Sequence, residues 1–437
     1  MIPSLDRFFQ IKTHGSTVRR EIVAGLTTFV TLAYIVIVNP AILSAAGIPK
    51  GPSTTATILS AAFGTLLMGL YARRPFAVAP YMGENAFIAF TVVKIMGHTW
   101  QTALGAVFIG GALFTILTLT GTRGWLTRAI PASLKFAFGA GIGLFLTLIG
   151  LVDCGIVTSG VPGAPLRVGN LAQPQIMLAV GGFLVIALLL QRKIPGGMLL
   201  GILLTAAAAW FSGLAPAPKA LFSAPAPLTP ILLKLDITGA LTWGFFSVIL
   251  TLFIMDFVDT MAALIGLGAR AGLLDENGDL PEIDKPLLAD ALATVAGALL
   301  GTTTTGTFIE SAAGIEAGGR TGLTAVVTAL ALLCCLFCAP LLTAVPACAY
   351  GPALIIVGGM MLSLVGKINF ADYHEWIPAF MTIALMAFTY NLGIGITAGF
   401  IIHTIMQIVS GRARDIKPGM WLLATGSLLF YIFYPYH

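Results

Sequence analysis

Ala289-Asp290-Ala291 and, about one helix-length on, Gly301-Thr302-Thr303-Thr304-Thr305-Gly306-Thr307-Phe308-Ile309-Glu310-Ser311-Ala312-Ala313-Gly314 interrupt an otherwise apolar half-chain. The second piece alone carries five threonines, three glycines and Glu310. A membrane helix of ~20 residues does not tolerate such side chains unless they line something polar. The stretch therefore reads as half of a binding site at mid-membrane depth, held there by most of the remaining chain.

The rest of the composition agrees. Of 437 residues, 57% are hydrophobic and only 9% are charged, with a mean hydropathy of +0.96. A soluble protein carries roughly 25% charged residues. There are too few polar side chains to coat a water-facing surface, so the class is a polytopic helical membrane protein. The net charge of +5 then reports topology and not affinity for nucleic acid. Five cysteines lie in or beside apolar runs. Cys334-Cys335-x-x-Cys338 sits in LLCCLFCAP and reads as apolar packing, so no metal and no cofactor are expected. The start, MIPSLDRFFQIK, is amphipathic and not a cleavable signal, and the first long apolar run begins near Ile22.

Apolar runs recur near 22–44, 53–72, 80–95, 101–121, 131–152, 173–191, 196–213, 243–267, 286–301, 303–318, 322–343, 349–366, 376–390 and 392–410. The third and tenth are short and rich in glycine and polar residues. With the N-terminus in the cytoplasm, 18 of the 23 basic residues fall inside, and only Lys50, Lys94, Arg167, Lys219 and Lys234 fall outside. Dropping one weak span scrambles that alternation, which supports about fourteen spans. A last apolar run, from Met420 to Phe433, either crosses or lies in the interface with Trp421, Tyr431, Tyr434 and Tyr436.

The spans repeat. Ile130-Pro131-Ala132-Ser133 opens the fifth and Val345-Pro346-Ala347-Cys348 opens the twelfth. A separation of seven, an odd number, reverses the direction through the membrane. That is the inverted-repeat plan of secondary transporters, and the weak third and tenth spans are also seven apart. The expected organisation is a cytoplasmic segment 1–21, a first seven-span repeat 22–213, a connecting segment 214–242, a second repeat 243–410, and a basic segment with an apolar tail 411–437.

The third span reads Pro75-Phe76-Ala77-Val78-Ala79-Pro80-Tyr81-Met82-Gly83-Glu84-Asn85-Ala86-Phe87. Its prolines suit an extended approach, and Gly83 suits the start of a short helix with unpaired N–H groups. Asn85 offers a donor and acceptors for an amide-like ligand edge, although a capping role is the plain alternative. Glu84 faces the site, a neighbour or the mouth. On the eighth span Asp256 and Asp259 are three apart and share a helix face. Two intramembrane acids call for a polar cavity, a cation or protonation, and a proton-coupled site is the economical answer, with Asp259 the better candidate for ligand contact. On the tenth span Glu310 is a lone acid in a broken helix. Phe308 could stack on a planar ligand, Thr307 and Ser311 add hydroxyls, and Asp290 either bonds the broken backbone or relays protons. Most of the threonines read as small-residue packing. Glu316 and Arg320, four apart, read as a structural ion pair. The acidic Asp275–Glu282 loop lacks calcium-loop spacing and reads as solvated. His98, His374 and His403 lie near span ends and read as interfacial, and His374-Glu375 lacks the second histidine of a zinc peptidase.

Taken together, AGLTTFVTLAYIVIVNP from Ala24, MGENAF from Met82, DFVDT from Asp256 and TTTTGTFIESAAGIEAGGRTGLTAVV from Thr302 resemble the AzgA-like purine permeases, a branch related to the xanthine/uracil permeases. The resemblance covers nearly the whole chain. It implies an all-α fold of fourteen spans in two inverted seven-span repeats, divided into core and gate domains, with short strands and half-helices in spans 3 and 10. It implies uptake of adenine, guanine or hypoxanthine with a proton across the inner (cytoplasmic) membrane, and no enzyme activity. Carried over, the substrate residues fall at Gly83, Asn85, Asp259 and Glu310, with Asp290 a further essential acid. Phe87 or Phe308 is expected to cover a ring face. A homodimer is a further expectation. The chain departs from the resemblance at Glu84, where a leucine is expected. Competing readings are an anion, uracil or xanthine carrier on the same fold, and an intramembrane prenyltransferase built on Asp256-x-x-Asp259, which lacks the second aspartate-rich motif that chemistry needs.

Overall fold

The computed structural model describes residues 3–121, 129–161, 164–242, 245–275 and 280–433. Residues 276–279 of the acidic loop, and Tyr434 and Tyr436 of the tail, lie outside them. Among the described residues, nine helices are long and apolar enough to cross a membrane. Three shorter helices, Gly197–Phe211, Asp284–Leu300 and Tyr373–Phe388, and the two broken spans bring the total to fourteen. Span 1 bends between Val18–Leu32 and Ile35–Ala45.

The two broken spans are built alike. Span 3 is a strand, β1 (Val78–Pro80), then a helix, Met82–Ala86, which continues as a π-helix over Phe87–Ile95. A hairpin, β2 (Val157–Val161) with β3 (Ala164–Val168), follows span 5. Span 10 is a strand, β4 (Thr305–Thr307), then a helix, Ser311–Glu316. β1 and β4 pair antiparallel, with Val78 opposite Thr307, Ala79 opposite Gly306 and Pro80 opposite Thr305. Pro80 has no N–H to give a ladder, which the edge of a two-stranded pair tolerates. Span 9 reaches β4 through Gly301, whose φ of 96° is the left-handed turn that ends the helix.

The spans pack as two groups. Spans 5 (Ala132–Asp153), 6 (Pro174–Gln191), 7, 12 (Ala347–Leu362), 13 and 14 (Leu392–Val409) pack on one another. Spans 1, 2 (Lys50–Leu70), 4 (Trp100–Leu119), 8 (Phe246–Ala271), 9 and 11 (Gly322–Cys334) surround the strand pair. Segment 214–242 runs between the groups over one end of the second one: the Ser223 N–H donates to the Phe337 carbonyl at 2.9 Å and the Leu233 N–H to the Leu299 carbonyl at 2.9 Å.

Spans 5 and 12, the pair with matching openings in sequence, lie against each other on glycines. A Cβ at Gly143 would stand 2.5 Å from the Gly358 carbonyl oxygen, and one at Gly358 would stand 2.3 Å from that of Gly143. Gly150 and Gly351 meet in the same reciprocal way. Such mutual contacts are what an axis relating inverted halves produces, and small residues let backbones approach where no water is squeezed out.

One sequence expectation changes, and one left open gains a geometry. Glu316 pairs with Arg270 at 2.6 Å, not with Arg320. The span-10 helix stops at Glu316 and Gly318 turns the chain with φ of 106°, so four-residue spacing no longer places 316 and 320 on one face. Arg320 instead donates to the carbonyls of Ile315 and Gly319. The last apolar run forms a helix, Pro418–Phe433, that runs back along span 14, and the Tyr431 hydroxyl reaches the Ile394 carbonyl at 3.0 Å. That length is about that of span 14 itself, roughly 24 Å at 1.5 Å per residue. In the loop before span 9, Lys285 bonds Glu282 at 2.6 Å and holds its carboxyl below the usual range.

The glycine contact between spans 5 and 12 is directly testable. Gly143→Val is expected to lower the stability of the purified protein by about 1–3 kcal/mol, the usual cost of overpacking. Gly181→Ala on span 6, with open space around it, is expected to leave the thermal midpoint in detergent unchanged.

Candidate functional site

Unwound backbone inside a membrane has no water to bond, so every N–H and C=O of β1 and β4 needs a protein partner. The structure supplies several of them from the flanking spans, in matching ways on the two halves. On span 2, the Thr65 hydroxyl takes the Val78 N–H at 2.9 Å and donates to the Val78 carbonyl at 3.0 Å. On span 9, seven spans later, the Thr294 hydroxyl takes the Thr305 N–H at 3.1 Å and donates to the Thr305 carbonyl at 3.1 Å. Ser311 accepts from the Ala77 N–H at 2.9 Å. Phe308 N–H reaches the Ala77 carbonyl and Tyr81 N–H reaches the Thr304 carbonyl, closing the pair at both ends.

Asp290, buried in span 9, is the anchor of β4. Its carboxylate accepts from the Thr307 backbone at 3.2 Å, the Thr307 hydroxyl at 2.9 Å and the Thr260 hydroxyl at 2.5 Å. Of the two roles the sequence left open for Asp290, this geometry is that of a backbone tether. Thr260 also lies 3.2 Å from the Tyr81 hydroxyl, which donates to the Thr307 carbonyl at 3.1 Å. Span 8 is thereby tied to both strands beside Asp259. The Tyr81 ring lies over Gly306, where a Cβ would be 2.3 Å from it, and stacks on Phe308 with centroids 6.0 Å apart.

Around this frame stand the side chains that the sequence singled out. Glu310 begins the span-10 helix, is partly exposed, and accepts a 2.5 Å hydrogen bond from the Tyr34 hydroxyl at the bend of span 1. Asn85 donates its amide hydrogen to the side-chain oxygen of Asn39, and the Asn39 amide nitrogen donates to the hydroxyls of Thr57 at 2.8 Å and Thr302 at 3.0 Å. The oxygen of Asn85 is buried and has no partner. Gly83 lies against Ile142 of span 5, whose methyl group stands 2.6 Å from where a Cβ would be. Asp259 is partly exposed, whereas Asp256 is buried, with a 3.4 Å bond from Thr294 to one oxygen and none to the other. Glu84 is fully buried and both of its carboxyl oxygens lack a partner. Phe87 opens the π-helix inside the apolar core.

Sequence reading missed Thr65, Thr294, Tyr34 and Asn39. A threonine placed 13 residues before Val78 and another 11 before Thr305 was the available signal for the first two.

Two partly exposed acids, Asp259 and Glu310, and the free amide oxygen of Asn85 thus stand as acceptors on or beside the broken spans. The chain matches the xanthine/uracil Permease family over residues 19–413. It belongs to that family. This permease is 39% identical to the adenine permease AdeP of Escherichia coli over 433 residues, covering 99% of this chain and 97% of the relative. It is 40% identical to the guanine/hypoxanthine permease PbuG of Bacillus subtilis over 440 residues, 98% and 100% of the two chains. The transmembrane domain of a cyanobacterial bicarbonate transporter, BicA, has the same fold, with a TM-score of 0.64 and 16% identity over 87% of this permease and 97% of that chain. The murine anion transporter Slc26a9 in its inward-facing state gives a TM-score of 0.66 at 10% identity over 94% and 72%. The permease is a transporter, not an enzyme, and the prenyltransferase reading falls away.

Thr294→Val in this permease strands the N–H and C=O of Thr305 and is expected to destabilise it by about 1–3 kcal/mol for each unpaired group. Thr294→Ser keeps the hydroxyl and is expected to stay near wild type in thermal unfolding of the purified protein.

Proposed function

We propose that this permease imports adenine, guanine or hypoxanthine together with a proton across the cytoplasmic membrane. The observation that carries the reading is that the free Asn85 oxygen, Asp259 and Glu310 are acceptors on or beside the two broken spans, with no lysine or arginine acting on either acid among the described residues. A purine base is planar and neutral, and its ring and exocyclic N–H groups need such acceptors. The names of AdeP and PbuG point to the same substrate class. An anion carrier on this fold would favour positive charge at the site, and the acids argue against it.

In this reading Asp259 and Glu310 accept N–H bonds from the base, the Asn85 oxygen accepts another, and Phe308, backed by Tyr81, offers a ring face. Tyr34 fixes the direction of Glu310. A proton on one of the acids removes one of the two negative charges of the site, so that proton entry and base entry are coupled. The spans around the strand pair act as a core domain, the glycine-packed group acts as a gate domain, and Gly83 against Ile142 is one of their sliding contacts. The repeat limits 22–213 and 243–410, the cytoplasmic N-terminus and a homodimer belong to the same proposal.

Uptake of radiolabelled bases in cells lacking their own purine permeases tests it. Purine uptake that an uncoupler abolishes is expected, with sulfate and bicarbonate neither carried nor competing. Absence of purine uptake, or indifference to the uncoupler, contradicts it. Glu310→Gln and Asp259→Asn are each expected to lower uptake at least about tenfold, the loss of ~1.4 kcal/mol of binding or transition-state stabilisation; wild-type rates in both would remove the site assignment.

A further inference from the structure

Glu84, like Asp256 and Asp290, is an acid near the strand pair that the proposed base site does not use, and Glu84 is the one on the broken span 3 itself. It sits in the five-residue helix Met82–Ala86, is 0% exposed, and neither carboxyl oxygen has a hydrogen-bond partner. A buried carboxylate without donors is heavily penalised, because nothing replaces the water it gave up. Among the described residues no cation offsets it. The helix that carries Glu84 packs against span 8, whose Asp259 and Asp256 are the charges acting on it. Span 5 presents Ile142 to the neighbouring Gly83, and span 1 presents Asn39 to Asn85. The free oxygen of Asp256 lacks a donor in the same way.

Neighbouring like charges, one of them sealed from water, are disfavoured when a proton is available, and a carboxyl–carboxylate pair then holds one proton between them. Asp259 differs from Glu84 in one useful respect: it is partly exposed. It therefore offers the sealed Glu84 a route to water that the apolar wall at Ile142 does not.

We propose that Glu84 and Asp259 together carry a second transported proton, separate from the one at Glu310, so that this permease moves two protons with each base. The inference rests on the purine–proton reading above. The proton enters through Asp259 when the site faces outside and is held between the two carboxyl groups while the base occupies the other Asp259 oxygen. It leaves by Asp259 when the site opens inward. Glu310, held by Tyr34 on the opposite broken span, loads and releases its own proton. A neutral base then crosses with two positive charges.

The test is the charge-to-base ratio of the full chain in proteoliposomes, read from the membrane potential at which net flux of radiolabelled hypoxanthine or adenine vanishes under a fixed pH gradient. Two charges per base are expected for the wild type, and one for both Glu84→Gln and Glu84→Leu, since neither substitute holds a transferable proton. A wild-type ratio of one, or a ratio of two retained in both variants, overturns the inference. The wild-type ratio decides by itself if a variant fails to fold. Purine flux with a single charge contradicts only the second proton, whereas no purine flux at all contradicts the transport reading and this inference with it.

Discussion

Two three-residue strands laid antiparallel inside a membrane are the constraint on which the rest of the molecule depends. The pair breaks two helices where broken helices are most costly, and each unpaired backbone group costs several kcal/mol in hydrocarbon. Spans 2 and 9 answer with Thr65 and Thr294, each bonding both the N–H and the C=O of one strand residue. Asp290 adds a charge-assisted anchor. Inverted repetition makes this economical, since one solution to the backbone problem serves twice.

Once the strands are held, the helices that follow them carry polar side chains at the same depth. Glu310 and Asn85 are not loosely placed. Each is bonded to span 1, at Tyr34 and at Asn39, so the bend of that span orients both halves of the site. In the transport reading proposed above the two groups slide on one another; Gly83 lies against Ile142 at their boundary, while the glycines of spans 5 and 12 pack reciprocally within the other group.

Much of this was legible in the sequence. Asp290, Glu310, Asp256, Asp259 and Asn85 announce themselves because acids and amides are rare in membrane helices, and the broken spans are visible through glycine, proline and threonine. What hid was whatever looks ordinary in one helix. Thr65 and Thr294 give no signal of their own in sequence, since a lone threonine can bond back to its own helix. Tyr34 gives none either, because its partner lies 276 residues away. The Glu316–Arg320 pairing failed because four-residue spacing means adjacency only on a continuous helix, and the chain turns at Gly318. The final apolar run could not be placed from sequence because its partner, span 14, is fixed by packing and by Tyr431.

The most direct measurement is an experimental structure of the permease with hypoxanthine bound. Density for the base is expected beside the β1–β4 pair, within hydrogen-bond distance of the Asn85 side-chain oxygen and of the Asp259 and Glu310 carboxyl groups. Base density elsewhere, such as the ~300 Å³ cavity bordered by His374, His403 and Arg412, with these three side chains unengaged, would contradict the account.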